Sequence, residues 1–183
     1  VAQILADTLE QRIADLEGTV RSLVAAAAVG GTSEAATTPG AVTLTGTAST
    51  VGGVGWNTTA GPNVDLFSVG GRFRVDVGAS FEVYGNKCSL FAGFQVRGPV
   101  LDPGVEDLAA APIVRAPSYE ASASLQDDGV GMNQLGAFST FDVVTGLEVG
   151  WYRVQTAYAL SYSSTTGAPY GIATYRRLAV TRY

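Results

Sequence analysis

The chain has 183 residues, of which 46% are hydrophobic and 15% charged, and its net charge is −5. That length holds one domain with a real core plus a short appendage, and so apolar a composition excludes a disordered protein. No basic block is present, so neither nucleic acid nor an anionic membrane is an expected partner, and the lack of His excludes His-based triads and imidazole chemistry.

The N-terminal stretch carries Leu9, Ile13, Leu16, Val20 and Leu23 at alternating spacings of four and three. That is a heptad seam, with Ile13 and Val20 at a and the three leucines at d. Arg12 then falls at g and Glu17 at e, placed to pair between neighbouring chains, and Glu17 and Arg21 suit an i,i+4 pair within one helix. Gly18 at an outer position costs such a helix about 1 kcal/mol. The flanks of the stripe are polar or small, which suits a seam between helices better than a sheet surface. Residues 1–29 are therefore expected to form a coiled-coil stalk. The run "LVAAAAV" at 23–29 is short of the ~18–20 apolar residues of a membrane span, and no basic region precedes it as in a signal peptide. The chain starts at Val1 and is expected to be a piece of something longer.

"VGGTSEAATTPGA" at 29–41 has loop composition and predicts a linker over 30–41. From residue 42 the period becomes two. "FRVDV" at 73–77 alternates Phe73, Val75 and Val77 against Arg74 and Asp76, and "SLFAGFQVRG" at 89–98 puts Leu90, Ala92, Phe94 and Val96 on one face. Tyr119, Ala121, Ala123 and Leu125 alternate likewise, and "FSTFDVV", "WYRVQTAYALSYS" and "GIATYRRLAVTRY" complete the set. Turn signals separate them at 70–71, 85–86, 102–104, 127–129 and 165–169, while "VGGVGWN" at 51–57 reads as a flexible loop. About eight or nine such strands predict a mainly β chain, its residues 42–183 one antiparallel, jelly-roll-like β-sandwich head. The single cysteine, Cys88 in "CSLFAGF", has no intrachain partner and is expected to be a small buried hydrophobe.

Three resemblances add to this reading. "RIADLE" at 12–17 resembles the trimerisation motif of short coiled coils, which implies that Arg12 packs over the seam and pairs with Glu17 of the next chain. A heptad stalk feeding a C-terminal β-sandwich is similar to the plan of bacteriophage tail fibres and head fibres, and to that of the C1q/tumour-necrosis-factor family. The segment 143–183, with Thr145, Gly146, Leu147 and Gly150, then Arg177–Val180, resembles the end of minor tail proteins from phages of actinobacteria. This implies a homotrimeric virion protein at the phage tail, extracellular, with other tail proteins and a host-surface glycan or protein as partners. A capsid head fibre or decoration protein and a secreted C1q-like binder are the alternatives.

Chemistry is sparse. No P-loop is present, since "VGGVGWN" lacks a Lys. The adjacent carboxylates Asp127–Asp128 and Glu106–Asp107 suit turns better than a glycosidase pair. A Ca²⁺ site on Asp127, Asp128 and loop carbonyls is the one metal option considered; no metal, cofactor or catalytic residue is expected. The candidate receptor-binding loops are 52–63 with Trp56, 126–133 with Asp127 and Asp128, and 164–171 with Tyr170. Flat rings with polar rims are what sugar and peptide ligands use.

Overall fold

The structure, a computed structural model, describes residues 11–14, 16–17, 20, 33–38, 40–46, 52–59, 61–84, 87–126, 134–162 and 169–183. Residues 11–14, 16–17 and 20 are helical. All else that is regular among the described residues is β: β1 (Ser33–Thr38), β2 (Val42–Thr45), β3 (Gly52–Asn57), β4 (Asn63–Tyr84), β5 (Cys88–Val100), β6 (Ile113–Arg115), β7 (Ala123–Gln126), β8 (Gln134–Tyr162) and β9 (Tyr170–Arg182). Every strand pairing is antiparallel.

The two longest strands explain the architecture. β4 and β8 pair along their length, from Asn63↔Gln155 to Val83↔Gln134. The register shifts between Gly71 and Arg72, and close by lie Gly70 (φ 98°), Gly71 (φ 106°) and Gly146 (φ 71°). Left-handed backbone is accessible to glycine without a Cβ penalty, so the ribbon bends sharply there. Beyond the bend, Phe73–Tyr84 of β4 takes β9 on its other edge, and β9 takes β1 and β2. Before it, β8 from Trp151 takes β5, which in turn takes β6 and β7. One continuous sheet is thus folded into two facing layers.

Period-two patterning fills the space between them. Phe73, Val75, Val77, Phe81 and Val83 from β4 and Cys88, Leu90, Ala92, Phe94 and Val96 from β5 are almost fully buried and belong to one cluster. β8 adds Tyr152, Val154, Tyr158 and Leu160, and β9 adds Leu178 and Val180. The rings of Phe73 and Tyr152 meet edge to face at 5.6 Å, joining one layer to the other.

Several sequence expectations change. "VGGVGWN" is not a free loop, because Gly52–Asn57 pairs with β8 around Tyr158–Tyr162. Ser33–Thr38, inside the segment read as linker, is β1 and pairs with Arg176–Thr181. The "GG" at 70–71 and the "TGLEVG" stretch bend β4 and β8 without ending them. The strand expected from Tyr119 begins only at Ala123.

Register also sorts the ends. Ser33 lies opposite Thr181, and Phe73 opposite Arg182, at the glycine bend. Thr45 and Tyr84 both lie opposite Tyr170, Cys88 and Gly52 opposite Tyr162, and Val83 opposite Gln134, at the other end. The first strand of the β domain therefore starts at the bend, while the strand ends Thr45, Tyr84, Gln126 and Tyr162 lie at the far end.

Buried phenols lead to a first prediction. Burial raises Tyr152 and Tyr158 above the ordinary tyrosine range; at Tyr158 the neighbouring Thr156 hydroxyl and Arg176 charge oppose this without cancelling it. A phenol raised in the folded state contributes stability that is complete below the unfolded value of about 10, and is lost as pH climbs through the raised value. In an ultraviolet titration, two of the eight tyrosines are expected to ionise late, together with loss of the near-ultraviolet dichroism. Eight ionisations in an intact fold would contradict this.

Candidate functional site

The helical residues present one apolar face. Ile13, Leu16 and Val20 are 48%, 64% and 55% exposed, and with Glu17 they line an open apolar groove. Their i, i+3, i+7 spacing puts them on one side of the helix. The β domain does not cover this stripe. Arg12 and Glu17 are exposed beside it, and Leu9 and Leu23 lie outside the described residues.

Trp56 sits in β3, not in a loop. Its indole lies over Gly93, where an added Cβ would come within 3.2 Å of the ring. It contacts Tyr119 at 5.1 Å, and Tyr119 meets Phe91 edge to face at 4.8 Å. Trp56 is thus half-buried and braces the segment before β7, while Tyr119 is the exposed member of the cluster. Two residues on from Gly93 in β5, Gln95 is almost fully buried and donates to Gln155 at 3.4 Å.

Tyr170 likewise starts a strand. It faces Tyr84 across the β4–β9 pair, and the two rings stack at 5.1 Å with planes 18° apart. Tyr84 is the more exposed of the two. Asp127 and Asp128 lie outside the described residues, between Gln126 and Gln134, both of which are at the far end. Trp56 is set back from that end, so that of the candidates among the described residues Trp56 and Tyr170 lie apart, each with its own ring partner.

The carboxylates that can be placed hold their own surroundings. Glu106 accepts from the Leu101 N–H at 2.9 Å and Asp107 from the Ala109 N–H at 2.8 Å, so both organise a loop. Asp65 takes Arg153 through two bonds of 2.7 Å, and Asp142 takes Arg115 at 2.7 Å. Among the described residues no three His, Cys, Asp or Glu side chains are grouped to hold a metal. No helix of the described residues is long and apolar enough to cross a membrane.

Sequence reasoning missed Tyr175. It is 76% exposed with φ 47°, a left-handed conformation in the middle of β9. No turn residue marks it; the legible signal is that Ala173 and Leu178 are both core-facing although they stand an odd number of residues apart.

With this geometry in hand, comparison with known proteins bears on the fold. No protein-family model matches the chain, and no curated protein shows significant sequence similarity to it. A structure of infectious bursal disease virus, Gx strain, is similar with a TM-score of 0.52 at 13% identity, over 83% of this chain and 32% of that one. The chain thus spans about a third of the length of that viral protein, and the likeness shows a shared β fold. A structure of Eiger TNF from S. frugiperda matches with a TM-score of 0.43 at 10% identity, over 82% of this chain and 92% of that one.

Proposed function

We propose that the chain is a non-enzymatic virion protein: a homotrimeric minor tail protein or tail fibre of a bacteriophage, attaching to the host cell surface. The observation that carries this reading is polarity. An uncovered apolar helical stripe precedes the β domain, the first strand of that domain starts at the glycine bend, and the strand ends Thr45, Tyr84, Gln126 and Tyr162 lie at the opposite end. Three chains wound through Leu9, Ile13, Leu16, Val20 and Leu23, with Arg12 pairing to Glu17 of the next chain, present three equivalent heads. Avidity then raises apparent affinity by ~10²–10⁴ when the receptor spacing matches. The viral structure of similar fold supports a place in a virion. Other tail proteins are the partners on the stalk side.

A capsid fibre or decoration protein is the second reading, and the edge of β8 favours it. Gln134–Thr145 takes β4 as its only strand partner among the described residues, and Leu135 and Phe141 are 77% and 58% exposed along it. Such an edge suits packing against another virion protein.

The test is binding of the purified chain to cells of the bacterium that its virion infects. Adsorbed protein, virion adsorption blocked by antibodies to it, and no sugar released from the cell surface are expected. If the chain does not bind and the antibodies leave adsorption untouched, the attachment reading gives way to the structural one.

A further inference from the structure

We infer that Tyr175 and Arg177 form a binding site for an acidic glycan, a sugar ring that carries a carboxylate or phosphate. This rests on the attachment reading and names the ligand class of one site on the head. Gly78 pairs with Arg177 and Ser80 with Thr174, so Tyr175 and Arg176 together oppose Ala79. That is a β-bulge, and a bulge re-aims side chains. Arg176 turns inward, 3% exposed, and its Nε donates to the Gly40 carbonyl at 3.0 Å. Tyr175 and Arg177 turn outward.

A bulge needed only to reset register would take Gly or Asn at the left-handed position, where tyrosine is strained. Among the described residues no hydrogen bond or ring contact of the tyrosine offsets that strain. Its ring is 76% exposed and has no aromatic partner among the described residues. Arg177 is equally uncommitted. It lies over Gly78, with Nε 3.7 Å from where a Cβ there would sit, and has no hydrogen-bond or ion-pair partner among the described residues. Asp76, two residues before Gly78 in β4, is itself paired with Arg74 at 2.9 Å.

Two grooves flank the tyrosine. One, of about 290 Å³, lies between Tyr175 and Arg177 and is floored by Gly78, Ser80, Ala137 and Ser139. The other, of about 340 Å³, is bounded by Thr37, Thr38 and Arg176. A sugar ring stacks on an exposed phenol, hydroxyls such as those of Ser80 and Ser139 meet its own, and a guanidinium takes a carboxylate or phosphate through paired bonds. A glycan of several sugars straddles Tyr175 and occupies both grooves.

The test uses the full chain on an array of neutral, uronic-acid and phosphate-bearing oligosaccharides, beside Tyr175→Asn and Arg177→Gln. Asparagine tolerates the left-handed backbone, so Tyr175→Asn is expected to melt no lower than the parent and still bind acidic oligosaccharides at least about tenfold more weakly. Arg177→Gln is expected to lose the preference for acidic over neutral sugars. Uronic-acid probes against phosphate probes tell which anion is taken. A parent that retains no oligosaccharide, or variants that retain them as well as the parent does, overturns the site. Cell binding separates the two ideas: a Tyr175→Asn protein that adsorbs to cells like the parent sinks this site alone. A parent that retains acidic glycans but adsorbs to no cell supports the site and removes the attachment reading.

Discussion

A chain carrying Ile13→Asp and Leu16→Asp is expected to scatter light as a single copy where the parent scatters as three. The two side chains are 48% and 64% exposed in the isolated chain, so nothing within the described β domain depends on them. In a trimer each contributes about 1.5–3 kcal/mol when its apolar surface is fully covered. Replacing both puts carboxylates from every chain around one axis, and each buried ion costs several kcal/mol without a partner. Three short heptads have no reserve against that, since helices of this length are marginal even when unperturbed. The β dichroism of the variant should match that of the parent, because the sheet closes its own core. A parent mass of one or two copies would refute the trimer, and a variant that remains trimeric would move the assembly surface to the β domains.

How much of this was legible depends on whether side chains or backbone carried the information. The alternation of Phe73, Val75 and Val77 and of Leu90, Ala92, Phe94 and Val96 was readable because each strand has one face in the core. Cys88, expected to be buried, is fully so. The mainly β fold followed from these runs. β1 was illegible: Ser33–Thr38 is small and polar, and it is a strand because β9 offers an edge to pair with, not because its side chains demand it. The bends hid continuity. Gly70, Gly71 and Gly146 are turn residues by composition, yet here they fold paired strands over without parting them. The site suffered most. Trp56 and Tyr170 were placed in loops by their Gly-rich neighbours, and both proved to sit in strands with ring partners. Tyr175 had no signature, because a tyrosine at positive φ looks like any other residue of an alternating strand until the register of β4 against β9 is known.

One aromatic pair at the register shift joins the two layers. Phe73 is 1% exposed, follows the Gly71–Arg72 register shift, and meets Tyr152 at 5.6 Å with the rings 88° apart. It stands just where the β4–β8 ribbon passes from one layer to the other, with its ring on that of Tyr152. Phe73→Ala removes a buried ring and leaves a cavity in the core, beside the rings and aliphatic side chains of its cluster. A loss of about 3–5 kcal/mol is expected for such a truncation, with the edge-to-face pair accounting for about 0.5–1.5 kcal/mol of it. For a chain of this size that lowers Tm by roughly 6–20 °C. Phe141→Ala is the matched control, since that ring is 58% exposed on the outer face and has Arg74 over it at 4.4 Å. Its loss should stay within about 1 kcal/mol, a few degrees of Tm. Equal melting of the two variants would mean that Phe73 does not join the layers, and that they are held separately by their own strands.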